Sequence, residues 1–283
     1  MVGSDVGNAE VIITALPAGE AAKLAPAWLA EGRALIDVGS DFRLSDPSAY
    51  PRWYGYTHPA PELLREAVYG LTEFARNKLR GARLVSNPGC YPTASLLALA
   101  PAVRAGLIGD DVIVDAKSGV SGAGHNVDEA YLYGTIDGNV RAYGVPRHRH
   151  TPEIAQGLTT LGASSPQLTF TPHLVPMTRG LIATCYAPLR DGVTASQVAD
   201  AYAREYAHEP FVRVTASFPQ TKAALGSNWC LVHAVVDEAN GRLVAMGALD
   251  NLVKGAAGSA VQNLNAMHGY PETLGLESLP LWP

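Results

Sequence analysis

Apolar and polar positions along this chain follow two rhythms. Residues 10–17 (EVIITALP) are a short apolar run closed by proline, the pattern of a buried strand. Residues 21–30 repeat at helical spacing, and 34–39 (ALIDVG) read as a second strand. Strand, helix and strand at this spacing predict a parallel, doubly wound sheet. Residues 82–86 (ARLVS) predict another strand that ends at the Pro88-Gly89 turn. A helix then opens, with Pro92 at its first position and Leu96, Leu97 and Leu99 on its apolar face. A strand over 111–116 (DVIVDA) leads into a glycine-rich loop, and a further helix is expected from Thr151, with Pro152 at its first position.

The character changes from residue 167. Residues 167–174, 181–189 and 211–215 predict strands, and 228–236 with 243–249 predict a hairpin around Glu238-Ala239-Asn240-Gly241. Helices are expected over 195–207 and 256–268, the second stopped by Gly269. A parallel α/β part thus precedes a mixed sheet with few helices, with no internal repeat.

Composition narrows the function. At 283 residues, 47% hydrophobic and 17% charged, the chain can bury a sizeable core in one or two domains. A net charge of -5 and a pI of 5.9 argue against a nucleic-acid binder, which would show a basic patch or stripe. No apolar run reaches the roughly 18 residues of a membrane span, and residues 1–5 lack the basic and apolar regions of a signal peptide. Three widely spaced cysteines give neither a disulfide framework nor a zinc knuckle, so a reducing cytoplasm is expected.

Four stretches carry candidate chemistry. Cys90 falls between a strand and a helix, where the positive end of the helix dipole and free N–H groups stabilise a thiolate; the competing reading is a small buried hydrophobe. Residues 117–125 (KSGVSGAGH) form a loop whose N–H groups can cradle an anion or lie flat against a planar ring, or which is simply a surface turn. In 147–153 (RHRHTPE), His148 and His150 suit proton transfer beside a thiolate, while Arg147 and Arg149 suit a phosphate or carboxylate. Zinc does not suit two histidines at i, i+2 without a Cys or Glu at ligand spacing, but a solvated basic face competes. In 250–258 (DNLVKGAAG), small residues at a strand-to-helix junction allow close approach to a backbone or a ligand. Cys185 and Cys230 are expected in the core and His233 as a packed strand residue. Arg43 follows the C-terminal end of a strand, where open α/β sheets bind ligands, and either grips an anion or pairs with Asp41 or Asp46. No G-x-G-x-x-G opens the chain, so a nicotinamide enzyme of this sequence would begin partway through its cofactor domain.

Taken in order, SNPGCYPT (86–93), SGVSGAG (118–124), HRHTPE (148–153) and DNLVKGAAG (250–258) closely resemble the N-acetyl-γ-glutamyl-phosphate reductase family of arginine biosynthesis. HLVPMTRG (173–180) and GYPET (269–273) are similar to it too, and the likeness runs from about residue 10 to the end. The family's N-terminal G-x-x-G-Y-x-G segment is lacking. The resemblance implies a fold similar to aspartate-semialdehyde dehydrogenase. Residues 1–89 would be the remainder of a Rossmann-like dinucleotide-binding domain, with 256–283 packing back on it, and 90–255 an α+β mixed-sheet catalytic and dimerisation domain. It implies NADP(H) as cofactor, an acyl phosphate and inorganic phosphate as small-molecule partners, no metal, and a homodimer or homotetramer. Carried over, Cys90 would be the nucleophile and His150 the acid/base, with His148 beside it and the choice between them open. Ser118, Gly119, Ser121, Gly122, Ala123, Gly124 and Asn251 would line the nicotinamide; Arg43, Asn87, Arg147 and Arg149 would serve the substrate. The competing readings are a related reductase of carrier-linked aminoadipyl phosphate in lysine biosynthesis, a non-catalytic binding homologue, and, more distantly, a Cys/His hydrolase.

Overall fold

A computed structural model describes residues 6–124 and 128–282, and its contacts divide the chain into two units. The first unit takes residues 1–89 and 256–276, the second 90–255 and 277–283. His125, the last residue of the glycine-rich loop, and residues 1–5 lie outside the described residues.

The first unit begins with β1 (Val11–Thr14), α1 (Glu20–Ala30) and β2 (Ala34–Asp37). It continues with α2 (Ala49–Trp53), β3 (Val68–Tyr69), α3 (Thr72–Leu79) and β4 (Leu84–Ser86). The four strands pair in the order β1-β2-β4-β3, every pair parallel. Alternation across the pleat builds a core on each face. Leu35 and Leu84 point to the face covered by Ala22, Ala25 and Trp28 of α1 and by Phe42 and Tyr50. Ile36 and Val85 point to the opposite face, against Ala75 and Leu79 of α3 and Ala260, Ala266 and Met267 further along the chain. Helices on both faces of a parallel sheet are the doubly wound, Rossmann-like arrangement expected.

The second unit opens with α4 (Cys90–Arg104), which starts two residues before the expected position. Cys90 is therefore the first helical residue rather than a turn residue. Pro92 lies in the first turn, where its missing N–H leaves no bond unmade. Then come β5 (Asp111–Ser118), the short α5 (Tyr133–Ile136) and β6 (Arg141–Ala142). They are followed by α6 (Thr151–Leu161), β7 (Gln167–Leu174), β8 (Leu181–Pro188) and α7 (Ala195–Glu205). Last are β9 (Val212–Val214), β10 (Cys230–Asp237) and β11 (Arg242–Leu249). These strands form a seven-stranded sheet, ordered β6-β7-β5-β8-β11-β10-β9, with parallel and antiparallel pairs. The expected change of character at residue 167 is thus placed too late: β5 already belongs to the mixed sheet, where Val114 pairs with Phe170 on one side and Cys185 on the other.

One face of this sheet is covered by α4, α6 and α7, with Val112, Val114, Ala116, Ala183, Cys185 and Ala245 all buried. The other face carries half-buried Ile113, Tyr186, Val244 and Val235 in one row across four strands. Cys185 and Cys230 are fully buried.

The chain returns to the first unit through a single wide turn of π-helix, Val253–Ala257, and α8 (Gly258–His268). The expected helix over 256–268 therefore carries a π-turn ahead of its α-helical part. Gly269 stops it in the left-handed region at φ 71, which a side chain would disfavour. The expectation that all of 256–283 packs on the first domain is corrected for 277–283. The Leu281 N–H donates to the Leu225 carbonyl at 2.8 Å, and Lys222 stands over the Trp282 ring, tying this end to the second unit. Among the described residues, no helix is long and apolar enough to cross a membrane.

Candidate active site

Helix α4 is buried from Tyr91 through Val103, so it is held by contact on every side. Two glycines let neighbours approach it. A β-carbon on Gly247 of β11 would collide with the Ala94 carbonyl, and one on Gly157 of α6 with the Leu96 side chain. Pro101 sits inside the helix and cannot donate to the Leu97 carbonyl four residues back. The Tyr206 hydroxyl, just past α7, donates to that carbonyl at 2.5 Å, and Tyr202 donates to the Ala98 carbonyl at 2.6 Å. The helix that begins with Cys90 is thus fixed by main-chain contact and by borrowed hydroxyls.

Cys90 is partly exposed at the N-terminus of α4. Gly255, in the π-turn, lies against it: an added β-carbon would stand 2.8 Å from the Cys90 β-carbon and 3.2 Å from Leu249. Gly255, among the small residues of 250–258, therefore serves close packing on the cysteine.

The next residue, Tyr91, anchors a cluster of rings. Its edge meets His148 at 5.8 Å, His150 at 5.9 Å and Phe170 at 5.3 Å between centroids. Its hydroxyl lies 3.1 Å from that of Tyr143 and donates to the His173 carbonyl at 3.4 Å. Burial pushes the Tyr143 phenol up to about 12, and a charge on Cys90 adds to the rise, so the thiol and this hydroxyl share one electrostatic environment.

The two histidines differ. His148 is boxed by Tyr91, Tyr143, Phe170 and His150, and burial pushes its pKa down to about 4, with Arg149 adding to the shift. Its Nδ1 accepts the His150 N–H at 3.1 Å, which assigns the ring proton of the neutral form to Nε2. His150 is 5% exposed and is the residue from which α6 begins. Arg147 and Arg149 are exposed.

Residues 118–124 do not form an anion cradle. The N–H groups of Gly119, Val120 and Ser121 donate to the carbonyls of Gly180, Met177 and Thr178 at 2.9, 3.0 and 3.1 Å. Backbone pairing with 177–180 has used the donors that a phosphate would need. A β-carbon on Gly119 would stand 2.6 Å from the Met177 carbonyl, so that glycine serves the pairing. Ser118 is buried and its hydroxyl donates to the Gly119 carbonyl at 3.1 Å. Ser121, Gly122, Ala123 and Gly124 remain as a ledge of very small side chains, which fits a planar ring laid against it.

Asn251 clamps that ledge. Its amide oxygen accepts the Gly180 N–H at 2.7 Å, and its nitrogen donates to the Ser121 hydroxyl at 2.9 Å. Asp250, wholly buried, receives Arg179 at 2.7 Å and the Gly226 N–H at 2.7 Å.

Arg43 and Asn87 are used inside the first unit. Arg43 is 7% exposed and donates to the carbonyls of Asn87 and Val38 at 3.0 and 2.8 Å, and its charge acts on the Asp37 carboxyl. The Asn87 amide donates to the Ala256 carbonyl at 3.2 Å and accepts from Asn263 at 3.0 Å.

Relatives decide the family. N-acetyl-gamma-glutamyl-phosphate reductase of Dehalococcoides mccartyi is 49% identical over 278 residues, covering 98% of this chain and 82% of that protein. The enzyme of the same name from Symbiobacterium thermophilum is 50% identical over 283 residues, covering 98% and 81%. The chain belongs to the N-acetyl-γ-glutamyl-phosphate reductase family. Its residues 3–82 match the semialdehyde dehydrogenase NAD binding domain, and 90–251 the semialdehyde dehydrogenase dimerisation domain. Two solved structures share the fold of this reductase-family chain. Aspartate semialdehyde dehydrogenase II from Vibrio cholerae has a TM-score of 0.69 at 19% identity, covering 90% of this chain and 78% of its own. The Francisella tularensis aspartate semialdehyde dehydrogenase has 0.67 at 15%, covering 90% and 81%.

Tyr91 and Tyr143 are the members of this site that the sequence did not single out. Tyr91 stood within the cysteine motif and Tyr143 carried no signal beyond being aromatic near the histidines.

Proposed function

We propose that this chain reduces N-acetyl-γ-glutamyl phosphate to N-acetylglutamate semialdehyde with NADPH, releasing phosphate, through a thioester on Cys90. The observation that carries it is a cysteine at the N-terminus of an immobilised helix, next to a buried ring cluster holding two histidines, in a chain nearly half identical to reductases of that name. The helix end and its N–H groups favour the thiolate.

The Cys90 thiolate attacks the acyl carbon. A C–S bond forms and the C–O bond to phosphate breaks, the phosphate leaving with the electron pair. The ledge of Ser121, Gly122, Ala123 and Gly124 would hold the nicotinamide, which when bound supplies the hydride that turns the thioester into a thiohemiacetal. His148, neutral with its proton on Nε2, donates a hydrogen bond to the developing oxygen without carrying a charge. His150 is the group we assign to proton delivery as the C–S bond breaks and the aldehyde leaves. The choice of NADP over NAD follows the family pattern.

We further read the half-buried row Ile113, Tyr186, Val244 and Val235 as the face on which two chains pair, giving a homodimer or a dimer of dimers. The three free cysteines suit the cytoplasm, where thiols stay reduced.

The test runs the reaction backwards with N-acetylglutamate semialdehyde, inorganic phosphate and NADP, following the absorbance of reduced cofactor. Phosphate-dependent reduction of NADP supports the reading, and NAD in its place checks the cofactor. Cofactor reduction that ignores phosphate, or none at all, refutes it.

A further inference from the structure

We infer that Arg141 binds an oxyanion of the substrate. This rests on the reading above and concerns a residue that neither the motifs nor the exposed arginines brought forward.

Strand register places it. Arg141 pairs with Leu174 on β7, and Leu174 pairs with Ser118 on β5, so the three residues stand side by side across three strands. Side chains directly opposite each other share a face. Leu174 and Ser118 are both buried, so Arg141 stands on the buried sheet face, which α6 covers at β7 and α4 further across. Tyr143, two residues on, continues the pairing by donating its N–H to the Pro172 carbonyl, and an extended step of two returns to the same face. The Tyr143 hydroxyl then meets Tyr91, the neighbour of Cys90. One end of one face therefore collects Ser118, Arg141, Tyr143, Tyr91 and the start of α4.

One donor of Arg141 is also unsatisfied. Its Nε is shut away from solvent and meets no hydrogen-bond acceptor among the described residues. A guanidinium is cationic at every physiological pH, and burying one of its donors without an acceptor is costly. Arg147 and Arg149 are exposed to water, which competes for any anion they hold. A partly buried guanidinium binds more tightly, and its planar fork matches a carboxylate or a phosphate by two parallel bonds. The substrate carries both groups.

The phosphate-dependent oxidation of N-acetylglutamate semialdehyde separates them, because carboxylate and phosphate then arrive on different molecules. Arg141→Gln is expected to raise the KM for one of the two by about 10- to 100-fold, with kcat held within about threefold, and Arg141→Lys to recover part of the loss. A higher KM for phosphate assigns the phosphoryl group, and a higher KM for the semialdehyde the carboxylate. Unchanged values for both overturn the proposal, as does an Arg141→Gln protein whose only change is its oligomeric state. A wild-type protein that does not turn over defeats the functional reading instead, and alkylation of Cys90 by iodoacetamide then still decides. Phosphate or N-acetylglutamate should slow alkylation in the wild type and not in Arg141→Gln; equal protection, or none in either, overturns it.

Discussion

Gly255 packs against the β-carbon of Cys90: the β-carbon that Gly255 lacks would stand 2.8 Å from that of the cysteine. Real β-carbons do not approach so closely, so any side chain at 255 must displace the thiol or the turn that faces it.

Gly255→Ala is therefore expected to lower kcat by about 10- to 100-fold, since a shift near 1 Å at a reacting group costs on that order. The accompanying loss of stability should be about 1–3 kcal/mol, the usual cost of overpacking. Steady-state kinetics alongside thermal unfolding check it. Unaltered kcat in a folded protein would show that the contact does not position Cys90.

Cys90→Ser keeps the shape of the side chain and removes the thiolate. Turnover is expected to fall to background while cofactor binding, measured by fluorescence quenching, stays within about twofold. A variant that still reduces the acyl phosphate would rule out the thioester.

The buried imidazole of His148 makes a pH prediction of definite sign. Its pKa is pushed down from 6.5 to about 4 in the fold. Between those values the unfolded chain takes up a proton that the folded chain refuses, so stability falls as pH falls from 6.5 to 4 and levels off below. Asp37 slopes the other way, because burial, reinforced by the Asp41 charge, pushes its carboxyl up from 3.8 to about 6. Subtracting a His148→Asn variant isolates the histidine. The stability advantage of the native protein over His148→Asn should shrink as pH is lowered from 6.5 to 4, read from urea midpoints; a constant difference contradicts the buried, neutral imidazole.

Pro101 and Tyr206 give a double-mutant cycle. Tyr206→Phe leaves the Leu97 carbonyl without its donor, at an expected cost of about 1–3 kcal/mol. In a Pro101→Ala background the helix supplies its own N–H to that carbonyl, and the same change should cost much less. Equal costs in both backgrounds would mean the hydroxyl does not stand in for the missing amide.

The row of Tyr186 and Val244 on the sheet is testable by charge. Tyr186→Arg is expected to yield a monomer by light scattering, because an unpaired cation cannot be buried between two apolar faces. An unchanged molar mass places the interface elsewhere.

Much of the architecture was legible because apolar runs and Pro-Gly punctuation fall in register along the first ninety residues and again after 167. Val68–Tyr69 and Arg141–Ala142 were not, since two residues carry no periodicity and only their neighbours make them strands. The start of α4 was misplaced because proline is tolerated throughout a first turn and so does not mark one position. At the site, residue type announced Cys90 and the histidines. It did not announce that the amide of Asn87 is engaged by Ala256 and Asn263, or that the loop's amides are taken by 177–180. Those facts depend on partners far away in sequence. Tyr143 shows the reverse: an unremarkable aromatic becomes part of the site only once β6 lies beside β7.

Asp250 and Asn251 are neighbours that reach to different parts of the second unit. One gathers Arg179 and the backbone at Gly226, the other the backbone at Gly180 and the hydroxyl of Ser121. Three surface segments thus meet at one dipeptide and form a single module. To transplant the small-residue ledge between this enzyme and a distant cousin, an engineer would have to move all three segments with the dipeptide. Exchanging 118–124 alone would strand the carbonyls of 177–180 and leave Asn251 holding a partner of the wrong shape.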